Sequence, residues 1–205
     1  MNDFSPFIYT GCRALFASIV LVPLLILDIA RNGVDKNSIK TGFLTGIMYT
    51  LGIFFQGWGT RYTSASNSAF LTSTSVIIVL VMESILKKKL SKEVALAGIG
   101  AVLGVYLLTD THGDLTIGDI LVLVSAVFWS LQILFISYFK FNNYNQFVSV
   151  MLLSPMVFSL SLLSENNSVR FEVSKIIWLV YLGIVVGVFS SYGQVVGQRK
   201  VSASV

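Results

Sequence analysis

Trp129 and Gln132 stand one helical turn apart in an otherwise apolar stretch of this 205-residue chain. An indole beside an amide can stack on a ring or an apolar body and hydrogen-bond a polar edge, without supplying fixed charge. Gln56, Tyr192 and Gln194 repeat the theme at the ends of two other apolar stretches. A further group, Ser64, Ser66, Asn67, Ser68 and Thr72 to Ser75, is polar over nearly three turns. Hydroxyls there can bond back to their own helix carbonyls, which asks for no ligand. Asn67 has no such easy partner, so Asn67 and Thr74 are candidates for a wall that meets water or solute. The candidate substrate-binding set is therefore Trp129, Gln132, Asn67, Thr74, Tyr192 and Gln56. Its competitor is an interfacial aromatic belt for Tyr192 and plain inter-helix hydrogen bonds for the glutamines.

Other reactive groups lack the spacing that chemistry needs. Cys12 is the single cysteine and His112 the single histidine, so no metal-ligand pattern exists and neither metal nor cofactor is implied. The serines have no adjacent base and no carboxylates pair at depth, so no catalytic residue is assigned and an enzyme is not expected. Glu83 has Lys87 one turn on, and Asp28 has Arg31, which reads as interfacial charge pairing. Asp119 after Gly118 reads as a helix N-cap. Arg13 lies about two turns inside an apolar stretch, close enough to its end to snorkel out of the hydrocarbon.

The elements that must hold these side chains are membrane helices. Mean hydropathy is +0.80, and 55% of residues are hydrophobic against 12% charged, which excludes an ordinary soluble domain. Seven apolar blocks cover 6–29, 39–57, 65–86, 93–109, 118–139, 146–163 and 174–196. A helix needs about 20 such residues to cross the hydrocarbon core; 93–109 and 146–163 fall short and depend on their flanks. Period-two alternation is absent, which argues against a β-barrel. No basic leader or small-residue cleavage site marks the first block as a secretory signal. With the first loop inside the cell, ten basic residues fall on the cytoplasmic side, from Arg31 and Lys36 through Lys87–Lys89 to Lys200, and only Arg61, Arg170 and Lys175 outside.

A repeat gives that orientation its meaning. Residues 56–66 (QGWGTRYTSAS) and 194–204 (QVVGQRKVSAS) agree at six of eleven positions. Each copy sits at the polar end of an apolar block, one outside and one inside, as two related halves of opposite topology require. Small-residue pairs one turn apart (Gly42 and Gly46, Gly100 and Gly104, Gly183 and Gly187, Gly193 and Gly197) predict close helix contacts.

The run 66–109 (SNSAFLTSTSVIIVLVMESILKKKLSKEVALAGIGAVLGVYLLT) resembles the EamA-type drug/metabolite transporters, with a charged turn ending in Leu-Ser and a Gly/Ala-rich helix closing in YLLT. The run 118–129 (GDILVLVSAVFW) looks like the start of that family's second repeat, and Arg13 sits where an Arg is common in its second helix. Lys88 departs from the Glu that many relatives carry there. The resemblance implies an all-α polytopic membrane protein of about seven transmembrane helices, from a two-repeat, inverted-topology (5+5) fold. On that template 1–110 is a first repeat lacking its first helix and 118–205 a second lacking its last two, which leads one to expect a fragment. The implied function is secondary transport, as exporter or exchanger, of a small-molecule metabolite (amino acid or amphipathic compound). The alternatives are a non-functional remnant or an interaction subunit completed by another polypeptide. The implied setting is the inner or cell membrane, with the lipid bilayer as partner, no nucleic acid, and a homodimer left open.

Overall fold

The computed structural model describes residues 6–87, 92, 96, 98–100, 103–104, 116–160 and 173–200, and all regular structure among them is helical. The expected span 93–109 and the lone His112 lie outside the fully described residues. In chain order the helices are α1 (Pro6–Asn32), α2 (Lys36–Gly59), α3 (Ala65–Ser73), α4 (Ser75–Leu86), α5 (Ile117–Tyr138), α6 (Tyr144–Leu153), α7 (Val173–Tyr181) and α8 (Ser190–Gln198). A 3₁₀ segment, Ser154–Leu160, extends α6, and a π-helical segment, Leu182–Phe189, joins α7 to α8. Among the described residues, five helical spans are long and apolar enough to cross a membrane: Phe7–Asn32, Lys36–Gly59, Ala65–Leu86, Ile117–Tyr138 and Ile176–Gln198. Tyr144–Leu160 is a shorter apolar helix, as the 146–163 block foreshadows.

Local chemistry sets the boundaries. α1 runs on to Asn32 and stops where Gly33 takes φ +74, a left-handed geometry that a Cβ disfavours; its N–H bonds back to the Ile29 carbonyl at 2.9 Å. Asp35 caps α2 by accepting the Asn37 N–H, and Ser64 caps α3 by accepting that of Asn67. The N-cap of α5 is Thr116, not Asp119. Asp119 is the third residue of the helix and returns a bond to the Thr116 N–H, closing a capping box. Between α3 and α4 the ladder tightens, with Thr74 N–H reaching the Leu71 carbonyl three residues back at 3.2 Å. The hydroxyls of Thr72, Ser73 and Thr74 all bond carbonyls of their own helix.

α2 is the central helix, packed on α5, α6 and α1. Its flanking core gathers Leu21, Tyr49, Ile53, Ile136, Phe147, Met151 and Val188. Large apolar side chains also cover the outside: Ile19 and Ile26 on α1 are 64% and 61% exposed, the face lipid would meet. Contact at the centre comes from glycines. A Cβ on Gly42 would stand 2.7 Å from the Phe147 carbonyl oxygen, and one on Gly183 2.7 Å from that of Arg13. Gly193 and Gly197 have nothing within 4 Å, so that pair makes no helix contact among the described residues.

The ends of the helices sort into two groups. Gly59 and Tyr62 meet Gly118 at the start of α5, whereas Arg199 donates to the Phe139 carbonyl just past its end. The described part of the second repeat copy therefore lies at the opposite end of α5 from the first. Asp35, in the turn before α2, has its carboxyl held below the usual range, first by the Ser38 hydroxyl and then by the backbone N–H groups of Ser38, Asn37 and Asn142, against an opposing effect of burial. A carboxyl with a lowered folded-state pKa stabilises above its unfolded value, about 3.9, and that contribution fades as pH falls through the folded value. Asp35→Asn should therefore lower thermal stability at pH 7 yet soften its acid dependence below about pH 4; parallel pH–melting curves for variant and parent would refute this.

Candidate solute cavity

A cavity of about 430 Å³ opens between α1, α2, α3, α5 and the π-helical segment with α8. That volume falls within the range of small-molecule sites, roughly 300–1,000 Å³. Its rim carries Arg61 and Thr60 at the end of α2, and its floor reaches Tyr49, about 15 Å along α2 from Gly59 at 1.5 Å per residue. Small residues open the space: Ala65, Ser68 and Ala69 face it from α3, and Gly57 from α2.

Aromatic rings form the deep wall. The Tyr49 and Trp129 rings meet edge to face, 5.3 Å between centroids and 89° apart. Trp129 lies against Gly52, where a Cβ would come 3.2 Å from the indole, so the glycine sets how close α5 approaches α2. Arg13 enters from α1, its Nη1 donating to the Tyr9 hydroxyl at 3.0 Å and its Nη2 to the Leu182 carbonyl at 3.5 Å. Its guanidinium also sits 5.4 Å from the centre of the Tyr9 ring. Leu182 opens the π-helical segment, and a wider turn of this kind frequently marks a functional site.

Of the expected site residues, Trp129 and Gln56 line the cavity. The Gln56 amide donates to Thr72 at 3.1 Å, which brings part of the polar α3 face to bear on the site through a neighbour. Gln132 is fully buried behind the wall, where its Oε1 meets the Nε2 of Gln194, a lining residue, at 3.4 Å. Asn67 is half-buried at the α3 N-terminus and Thr74 is buried with its hydroxyl on the Leu71 carbonyl; neither lines this cavity. The α3 residues that do are smaller: Ala65, Ser68 and Ala69. Tyr192 turns away to donate to Asn145 at 3.0 Å.

Two features escaped sequence reading. Arg13 lines the cavity, and the signal was Tyr9 one turn before it, toward the outer end of α1, whose hydroxyl accepts from the guanidinium. Asp28 is not paired with the exposed Arg31 but accepts four amide donors, from Asn32, Asn143, Asn145 and Gln146, at 3.1, 2.5, 2.9 and 2.9 Å. Gln146 adds bonds to the Gly33 carbonyl and the Asp35 N–H, so this cluster binds together the helix ends remote from the cavity mouth. The amide-rich run 142–146 (NNYNQ) was its signal. Glu83 and Lys87 pair as their spacing predicts.

A bundle of membrane-length apolar helices around a polar, aromatic-lined cavity is the build of a polytopic helical membrane protein. The model of the EamA-like transporter family matches residues 1–110, and the chain belongs to that family. It is 33% identical over 141 residues to an uncharacterized transporter of Archaeoglobus fulgidus, a match covering 68% of this chain and 42% of that protein. The chain thus spans less than half the length of that relative. No solved structure matches it.

Proposed function

We propose that this chain forms the core of a secondary transporter that exports or exchanges a small organic metabolite by alternating access. The observation that carries the reading is the asymmetry of the bundle: a solute-sized cavity opens at the Arg61 end, while the Asp28 amide cluster ties the opposite ends together. By the distribution of basic residues, the cavity then faces outward and the cluster closes the cytoplasmic side. Two repeats, 1–110 and 118–205, would rock about the site as inverted halves, and the placement of Arg61 and Arg199 at opposite ends of α5 supports that division.

Trp129 is the residue on which transport should depend most directly, since its ring forms the deep wall. Cells producing the protein encoded by the whole reading frame should release at least one metabolite faster than cells without it. Trp129→Ala should cut that rate by about tenfold, the loss of one aromatic contact of about 1.4 kcal/mol, at unchanged protein level. An unchanged metabolite profile with and without the protein would defeat the proposal.

A further inference from the structure

We propose that the cavity takes an organic monocarboxylate: an anion whose carboxylate is clamped by Arg13 and whose apolar body lies toward Tyr49 and Trp129. The inference rests on the transport reading above and narrows its solute to one charge type. It departs from the neutral chemistry that aromatic and amide residues suggested by themselves.

The argument begins with the donors of Arg13. A guanidinium carries five N–H groups and no acceptor, and it keeps its charge at any physiological pH. Here one donor is well used, on the Tyr9 hydroxyl; the Leu182 carbonyl, at 3.5 Å, lies at the limit of a hydrogen bond, and Nε has no partner. Tyr9 and Leu182 are both neutral, so beyond the face of the Tyr9 ring no opposite charge answers the guanidinium. No described lining residue is Asp or Glu, and the Glu83 carboxylate pairs with Lys87 away from this site. An uncompensated cation in a membrane interior is costly and calls for a counter-ion. An open cavity beside it can admit one.

Geometry selects the type of anion. The planar fork of arginine matches a carboxylate through two parallel bonds. Apart from Arg61 at the rim, the rest of the described wall is aromatic or neutral: Tyr49 and Trp129 offer ring surface, while Gln56 and Gln194 offer amides. Nothing charged in that described wall would answer an ammonium, so a zwitterion must leave its positive end unpaired. A single negative charge on an apolar body fits the lining best.

The test is binding by the purified protein in lipid nanodiscs, by titration calorimetry, with four probes of one shape: 3-phenylpropionate, its amide, 2-phenylethylamine and phenylalanine. The acid should bind about tenfold or more tightly than each of the others, the worth of a charge-assisted hydrogen bond. Arg13→Gln should weaken acid binding about tenfold or more and so erase the preference for acid over amide, and Arg13→Lys should retain part of it. Should either variant fold poorly, the ranking of the four probes by the unaltered protein decides alone. Equal affinity for acid and amide, tighter binding of the amine or amino acid, or no binding of any probe would overturn the proposal. Flux of the same probes into proteoliposomes separates it from its premise. Transport without preference for the acid defeats the anion site and spares the transporter, whereas selective acid binding with no flux of any probe does the reverse.

Discussion

Asp28→Ala should lower the stability of the protein by about 3 kcal/mol, which for a chain of this size moves the melting temperature by roughly 6–12 °C. The carboxylate is 7% exposed and takes bonds from the side-chain amides of Asn32, Asn143, Asn145 and Gln146. Hydrogen bonds to a charged acceptor are worth about 1.5–3 kcal/mol each and do not add in full. We take a total near one or two of them, because the group is covered mainly by its own partners at a helix end and water is near. Alanine would also strand amide donors that now have no other partner, while Gln146 would keep its bond to Gly33. Asp28→Asn keeps the shape but replaces one acceptor with a donor aimed at donors, so its loss should be of similar sign and about two-thirds the size. Thermal unfolding in detergent, followed by loss of monodisperse protein, measures both. A shift under about 2 °C for Asp28→Ala would show that the cluster is incidental to the closure of that end.

The second large effect is expected where α2 and α5 touch through bare backbone. A Cβ on Gly59 would fall 2.7 Å from the Gly118 carbonyl oxygen and 2.9 Å from the Val122 nitrogen. A Cβ on Gly118 would fall 2.6 Å from the Tyr62 carbonyl carbon and 2.7 Å from the Gly59 oxygen. Main-chain atoms cannot swing aside, so either helix must back away, at a cost of about 3 kcal/mol for Gly59→Ala or Gly118→Ala. In lipid that separation matters more than in water, since close packing rather than hydrophobic exclusion holds the helices together. The double substitution should cost clearly less than the sum, because one displacement makes room for both methyl groups. Gly193→Ala and Gly197→Ala are the controls: with nothing within 4 Å, each should be neutral or raise stability by up to about 1 kcal/mol through helix propensity. If all four variants melt alike, the close approach of α2 and α5 is wrong.

Much of this was legible in the sequence, and the reason is the bilayer. Spanning hydrocarbon requires long apolar runs whose backbone bonds close within the helix, so span positions follow from composition, to within a few residues. The blocks 39–57 and 118–139 correspond to Lys36–Gly59 and Ile117–Tyr138. Charged and capping residues then place the ends. The Glu83–Lys87 pair and the hydroxyl bonds of Thr72 to Thr74 are local, within one turn, and local spacing suffices to read them.

What composition and spacing determined is a set of membrane helices, their order, and the polar residues that would be costly to leave facing lipid. Which polar residues meet one another was settled only by packing. Gln56 and Trp129 come from different helices, 73 positions apart in the chain, and share one cavity. Gln132, on the same helix as Trp129, is turned behind the wall. Asp28 and the 142–146 amides are separated by more than a hundred residues, so no periodicity could pair them. The reach of a helical pattern is one face of one helix, whereas a cavity or a cluster is a property of several faces brought together, and small residues such as Gly52, Gly59 and Gly118 decide how near they come.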